Sequence, residues 1–200
     1  HSTVTVVLPT YNEADNLPAM VGELLALDVP GLNVLVVDDN SPDGTGLIAQ
    51  ELAAQRPEDL HIIQGEGKQG LGAAYVRGFR WALQRGAEVV IQMDCDFSHS
   101  PEHIPQMIYE LRDSDVIVGS RYVSGGQIDD RWDTARYLLS WWANAVYTRF
   151  ILNLRVKDAT SGFKCWRADV LRHIDLQDVS PYGYSFQIEM AYICLLYTSP

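Results

Sequence analysis

Apolar, β-branched runs alternate with helical segments over the first 120 residues, and this alternation constrains the fold more than any other feature. The runs are Val4 to Leu8, Leu32 to Val37, Leu60 to Ile63, Val89 to Met93 and Asp115 to Gly119. Continuous apolar strands separated by helices are typical of a parallel sheet buried on both faces by right-handed crossovers. We therefore predict an α/β fold with a Rossmann-like, mostly parallel sheet flanked by helices.

The helices between these strands are predicted from apolar residues at helical spacing and from the turn residues that precede them. They are expected near Leu17 to Leu25, Thr45 to Gln55, Leu71 to Arg85 and Pro101 to Leu111. Beyond Ser120 the alternation stops, and an aromatic segment from Tyr137 to Leu152 precedes an irregular stretch. The strand and helix pattern therefore predicts only the first part of the fold.

The length of 200 residues suits one domain, since a single core stops growing near about 250–300 residues. The segment Ile193 to Pro200 follows what reads as the middle of a helix, with no capping residue before it. We expect a single domain over residues 1–192 that stops short at its C-terminal end, and a foreign tail over residues 193–200.

The composition excludes several functional classes. Hydrophobic residues make up 47% of the chain, which excludes disorder as the main state. The formal net charge is −11, and an acidic chain without a basic stripe is a poor nucleic-acid binder. The same charge opposes electrostatic attachment to anionic lipid, so any membrane contact must be local.

Cysteine usage and the lack of a targeting pattern in the sequence both favour a reducing compartment. The cysteines Cys95, Cys165 and Cys194 are too few and too scattered for a disulfide framework, which favours a reducing environment. The sequence contains no signal-peptide pattern and no apolar stretch long enough to span a bilayer. We expect a cytoplasmic location.

Two carboxylates stand one residue apart directly after the fourth apolar run, in Asp94-Cys95-Asp96. In sheets of this kind ligands bind outside the carboxyl ends of the strands. Mg²⁺ and Mn²⁺ prefer oxygen ligands and are typically held by one or two carboxylates plus substrate phosphates. The pattern predicts a metal-bound diphosphate substrate, with capping of the next turn as the alternative.

Polar residues follow two further strands. Asp38 and Asp39 end the second run, where carboxylates can accept hydrogen bonds from a ribose or a base, although the stretch to Thr45 also reads as a turn with a helix cap. Arg121 follows the fifth run, and its guanidinium suits bidentate contact with phosphate or a salt bridge to a carboxylate.

A glycine-rich stretch from Gly65 to Gly70 fits G-x-G-x-x-G and offers a competing interpretation, an NAD-dependent dehydrogenase. This stretch follows the third strand instead of the first, and Lys68 puts a charge inside the loop. Both features argue against dinucleotide binding. P-loop, G-x-S-x-G and H-E-x-x-H patterns are absent from the sequence.

Six short motifs together resemble the polyprenol-phosphate (dolichol-phosphate) mannose synthases, which are inverting glycosyltransferases of the A-type fold. The motifs lie at residues 9–13, 38–45, 67–72, 94–99, 119–122 and 161–164. The resemblance runs from about Val4 to Met190. It implies transfer of mannose from GDP-mannose to a polyprenyl phosphate, with inversion and with a divalent metal, Mg²⁺ or Mn²⁺, on the donor diphosphate.

The resemblance also implies roles for individual residues. The donor nucleotide would contact Pro9, Tyr11, Glu13, Val37, Asp39, Asp94 and the backbone of Cys95. The metal would be held by Asp94, Asp96 and Ser98. The acceptor phosphate would contact Arg121, Arg136, Ser140 and Lys164. By this resemblance Asp96 and Arg121 would be the catalytic residues, and no side chain would act as a nucleophile.

The acceptor is a lipid, so the resemblance implies peripheral contact at the cytoplasmic face of a membrane. The segment from Tyr137 to Leu152 is a candidate for that contact, with a core helix as its alternative. Other interpretations stay open: a related enzyme using UDP-glucose or another acceptor, and an inactive fragment that binds a sugar nucleotide. The family's basic C-terminal loop has no match in residues 193–200.

Overall fold

A six-stranded sheet of order β3-β2-β1-β4-β6-β5 runs through the part of the chain that the structure describes. The computed structural model describes residues 3–119, 161–176, 179, 186–187, 189–190 and 193. The strands are β1 (Val4–Thr10), β2 (Leu32–Asp38), β3 (Leu60–Gln64), β4 (Val89–Gln92), β5 (Val116–Val118) and β6 (Lys164–Arg167). Strands β1 to β4 pair in parallel, as predicted.

The first four helices of the described residues lie where the sequence predicts them, and the fifth was not predicted. The helices are α1 (Leu17–Leu25), α2 (Thr45–Gln55), α3 (Leu71–Gln84), α4 (Ile104–Glu110) and α5 (Ala168–His173), with short 3₁₀ turns at Pro101–His103 and Leu111–Asp113. Alternate residues of β1 point to opposite faces of the sheet, so Val6 packs with α1 and α4 while Val7 packs with α3 and α5. Both faces of the central strands are therefore buried.

Strand β6 is the feature that the sequence pattern does not predict. It pairs antiparallel with β4, Val90 opposite Trp166, and antiparallel with β5, Ile117 opposite Cys165. It therefore separates β4 from β5 and makes the sheet mixed, which agrees with the predicted mostly parallel sheet. The segment from Tyr137 to Leu152 lies outside the described residues.

The carboxyl ends of the central strands are marked by unusual backbone geometry. Asn12, Asn40 and Phe97 have φ values of 62°, 57° and 58°, and they follow β1, β2 and β4. Left-handed backbone is tolerated by Asn but is an outlier for a bulky residue such as Phe. Non-glycine residues in this region tend to cluster at functional sites, which directs attention to this edge of the sheet.

A membrane-spanning helix is not found among the described residues, because none of their helices combines the length and the apolar character that crossing a bilayer needs.

Candidate functional site

The loops after β1 and β2 are joined by hydrogen bonds from three consecutive backbone N–H groups. These bonds run from Asn12 to Ser41 Oγ (3.1 Å), from Glu13 to Thr45 Oγ1 (2.9 Å) and from Ala14 to Asp43 Oδ2 (3.1 Å). The Thr45 hydroxyl also donates to Asp43 and lowers the pKa of that carboxyl. The two loops therefore form one wall at the carboxyl edge of the sheet.

Asp38 and Asp39 have different surroundings, although they are adjacent in sequence. The Asp38 carboxylate accepts hydrogen bonds from Thr10 Oγ1 (3.0 Å) and from the hydroxyl (2.6 Å) and N–H (3.0 Å) of Ser41. It is buried and ties β1 to the loop after β2. Asp38 therefore stabilises the fold, as the turn interpretation of this stretch implies.

Asp39 contacts the glycine-rich loop instead. Its Oδ2 accepts hydrogen bonds from the N–H groups of Gln69 (3.0 Å) and Gly70 (3.3 Å), and its Oδ1 forms an ion pair with Arg77 of α3. A phosphate-binding loop presents such N–H groups to its anion. Here the carboxylate of Asp39 occupies two of them, which weakens the dinucleotide interpretation of this loop.

The five residues predicted to contact the donor nucleoside lie at the ends of neighbouring strands. Pro9 and Val37 are paired across β1 and β2 and are buried. Tyr11 is half-buried two residues beyond Pro9, and Lys68 lies over its ring with Nζ 4.0 Å from the ring centroid. Glu13 and Asp39 complete the set within the loops already described. The structure thus brings all five to one edge.

The first carboxylate of the D-x-D motif is largely enclosed by protein. The hydroxyl of Tyr75, a fully buried residue of α3, donates a 2.6 Å hydrogen bond to Asp94 Oδ1. Asp94 Oδ2 lies against Gly162, at a position where any side chain would collide with it. Burial raises the pKa of Asp94, and the charge of Asp96 raises it further. A bound cation would relieve both effects.

The second carboxylate is exposed. Asp96 Oδ1 accepts a 3.0 Å hydrogen bond from the N–H of Ser98, which closes a tight turn around Phe97. Ser98 is exposed as well, so two of the three predicted metal ligands, Asp96 and Ser98, lie at the surface of this edge. Cys95 between the two carboxylates is buried, and burial raises the pKa of its thiol to about 12. Its side chain is therefore a neutral core group.

Lys164 lies at the start of β6 and is fully buried. Its ammonium donates 2.5 Å hydrogen bonds to the Ser161 carbonyl oxygen and to Gln187 Oε1, and Gln187 also accepts from Gln92 at 2.6 Å. The positive charge of Lys164 partly offsets the rise that burial causes in the pKa of Asp94. This lysine thus serves as a buried countercharge beneath the D-x-D motif.

The carboxylate oxygens at the D-x-D turn suit a hard divalent cation such as Mg²⁺ or Mn²⁺. The negative charges of Asp96 and Glu13 both raise the pKa of Asp94, and Asp94 and Asp96 supply the carboxylate oxygens that such a cation prefers. Within residues 3–119 and the described part of the remainder, no three acidic, histidine or cysteine side chains form a ready-made cage for a metal. Two carboxylates that share a cation with substrate phosphates are the arrangement typical of Mg²⁺ sites.

Three predicted residues of the acceptor site, Arg121, Arg136 and Ser140, lie outside the described residues, and their roles stay predictions. Two contributors on α3, Tyr75 and Arg77, were missed because the sequence predicts only a helix there. The signal that could have found them is the need of buried carboxylates for partners, together with the position of α3 directly after the glycine-rich loop.

Comparison with known proteins gives one family. The model of glycosyl transferase family 2 matches residues 5–175. An undecaprenyl-phosphate mannosyltransferase of Micrococcus luteus is 45% identical over 189 residues, which is 94% of this chain and 76% of that protein. A polyprenol monophosphomannose synthase of Mycolicibacterium smegmatis is 44% identical over 188 residues, 94% of this chain and 70% of that protein.

Among solved structures, a mannosyltransferase of Pyrobaculum calidifontis in complex with GDP-Man and Mn²⁺ is similar, with a TM-score of 0.60 and 20% sequence identity. The similarity covers 92% of this chain and 50% of that one, so this chain spans half the length of that structure. At this identity the likeness shows a shared mixed α/β fold and nothing finer.

Proposed function

The chain belongs to glycosyl transferase family 2, and from that premise we propose that it transfers mannose from GDP-mannose to a polyprenyl phosphate, with inversion and release of GDP. The two bacterial relatives that are 44–45% identical are named for mannosyl transfer to such lipids. The observation that carries the proposal is the pair Asp94 and Asp96 at the end of β4, beside the loops that hold Tyr11 and Asp39.

On the donor side, we assign the nucleoside to Pro9, Tyr11, Glu13, Val37 and Asp39, and the diphosphate to the D-x-D turn with the backbone of Cys95. Asp94, Asp96 and Ser98 are proposed to hold Mg²⁺ or Mn²⁺. When bound, such a cation neutralises the negative charge that develops on the leaving diphosphate. Tyr75 and Gly162 hold Asp94 from two sides, so its orientation is set before a donor arrives.

On the acceptor side, no protein base is needed. A phosphate monoester has a second pKa of about 6 and is therefore largely dianionic at neutral pH. Its oxygen is already a nucleophile without help from a base. We assign Arg121, Arg136 and Ser140 to the acceptor phosphate, with Lys164 adding positive charge from its buried position. The chain's residues then act by positioning two anionic reactants and offsetting their repulsion.

The lipid acceptor requires a site beside a bilayer. We propose peripheral contact at the cytoplasmic face of a membrane, through the aromatic segment from Tyr137 to Leu152. Flotation of the full chain with liposomes tests this contact. Retention of Trp141→Ala and Trp142→Ala variants on the liposomes would contradict the assignment of this segment.

The reaction itself is tested with a panel of donors. The full chain is incubated with a short polyprenyl phosphate, Mn²⁺ and either labelled GDP-mannose or labelled UDP-glucose, and label is extracted into organic solvent. The proposal predicts lipid-linked label from GDP-mannose, with UDP-glucose far less effective. Equal or greater transfer from UDP-glucose would overturn the donor assignment, and binding of GDP-mannose without lipid product would overturn the proposed activity of this chain.

A further inference from the structure

The carboxylate of Asp39 has little accepting capacity left. A carboxylate offers about four acceptor positions, two on each oxygen. Oδ2 already accepts from the N–H groups of Gln69 and Gly70, and Oδ1 accepts from Arg77. One position remains, and it is on Oδ1, the oxygen that Arg77 holds. Any contact between Asp39 and a nucleoside must therefore form beside the Arg77 guanidinium.

Arg77 connects Asp39 to the glycine-rich loop through a side chain as well. Its Nη1 donates a 2.7 Å hydrogen bond to Gln69 Oε1, while its Nη2 pairs with Asp39. The Asp39 side chain is 6% exposed and that of Arg77 25% exposed, so solvent screens this pair only weakly. Arg77, Asp39 and Gln69 thus form a closed group, here called the Arg77 clamp.

Glycine at position 65 leaves room for the Arg77 clamp. A Cβ atom there would lie 3.3 Å from Asp39 Oδ1 and 3.5 Å from Arg77 Nη2. The same loop carries Lys68, whose ammonium lies over the ring of Tyr11. The loop from Gly65 to Gly70 is therefore attached to two of the residues assigned to the nucleoside, Asp39 and Tyr11.

We propose that Arg77 is a positioning residue of the donor site: through the Arg77 clamp it fixes Asp39 and the loop from Gly65 to Gly70, and so sets the affinity for the nucleoside part of the donor. This inference rests on the proposed function, because it takes Asp39 as a nucleoside contact. Arg77 lies on α3 and bonds Asp39 and Gln69, whereas the reacting diphosphate is assigned to the D-x-D turn. It therefore affects binding of the nucleoside and leaves the transfer step unchanged.

The test separates the two halves of the donor. The variants are Arg77→Met, Arg77→Lys and, as a matched control, Arg80→Met, an exposed arginine of the same helix. The measurements are KM and kcat for GDP-mannose and the inhibition constants of GMP and of pyrophosphate. For Arg77→Met we expect KM and the GMP constant to rise about tenfold, with kcat and the pyrophosphate constant within about twofold.

Arg77→Lys keeps the ion pair with Asp39, but a single ammonium does not reproduce the planar fork that also reaches Gln69. We expect Arg77→Lys to rescue part of the loss, and Arg80→Met to match the wild type.

An unchanged GMP inhibition constant in a folded Arg77→Met variant would overturn the inference, and so would parallel losses of affinity for GMP and pyrophosphate. If Arg77→Met does not fold, wild-type GMP inhibition in Arg77→Lys overturns it. Wild-type protein that binds no GDP-mannose would instead refute the proposed function.

Discussion

The buried hydroxyl of Tyr75 donates a 2.6 Å hydrogen bond to Oδ1 of Asp94, which links helix α3 to the turn after β4. Tyr75 also stacks on Phe186, with ring centroids 5.8 Å apart and planes within 4°. Burial, together with the charge of Asp94, holds the pKa of Tyr75 well above its usual range. The hydroxyl therefore keeps its proton and remains a donor to this carboxylate.

Replacing Tyr75 with Phe removes that donor and leaves the ring in place. Partners that orient metal ligands contribute roughly 10- to 100-fold to metal affinity, and we expect a loss of that order in Mn²⁺ binding with GDP present. Electron paramagnetic resonance of free Mn²⁺ measures it. Tyr109→Phe, at an exposed position, is the control. Equal Mn²⁺ affinity in both variants would refute the role of Tyr75.

Gly162 offers a second way to disturb Asp94. An alanine Cβ there would lie closer than 3.0 Å to Asp94 Oδ2, whereas one at Gly67 would meet nothing within 4 Å. We expect Gly162→Ala to lower Mn²⁺ affinity at least as much as Tyr75→Phe, because the carboxylate must leave its position. Calorimetric titration of GDP with Mn²⁺ checks this. Wild-type binding in Gly162→Ala, or a comparable loss in Gly67→Ala, would contradict the geometry.

The parallel strands were predictable because each is a local apolar run with turn residues after it. Strand β6 was not, because it contains only four residues, two of them Lys164 and Arg167, and because β4 lies far away in sequence. An antiparallel strand that inserts between β4 and β5 is set by long-range pairing, and the periodicity of a short window does not encode such pairing.

The packing of α3 on the sheet gives a prediction about stability. A Cβ at Gly78 would lie closer than 3.0 Å to Val7 Cγ1 in the core, whereas Gly22 in α1 has nothing within 4 Å. Overpacking costs about 1–3 kcal/mol and exceeds the gain of about 0.5–1 kcal/mol from replacing glycine in a helix. We expect Gly78→Ala to lower the free energy of unfolding and Gly22→Ala to raise it. Urea denaturation compares the two, and stabilisation by Gly78→Ala would show that α3 packs differently.

The candidate site was predictable where function depends on residue type at a strand end, as for Asp94, Asp96 and Asp39. It was not predictable where function depends on which helix face meets which loop. Arg77 and Tyr75 are two residues apart on α3, yet one contacts Asp39 after β2 and the other Asp94 after β4. That division follows from the position of α3 across two strands, which only the folded chain shows.

The central claim is that mannosyl transfer requires a divalent cation at the D-x-D turn. Asp96 tests this claim most directly, because Asp96 is exposed and its replacement leaves the core intact. The measurement is transfer of labelled mannose from GDP-mannose to a polyprenyl phosphate by wild type, Asp96→Asn and the exposed control Asp15→Asn, with Mn²⁺ or with EDTA. We predict lipid-linked product from wild type and Asp15→Asn with Mn²⁺ only, and a loss of roughly 100-fold or more in Asp96→Asn at unchanged thermal stability. Near-normal transfer by Asp96→Asn, or transfer by wild type in EDTA, would contradict the account.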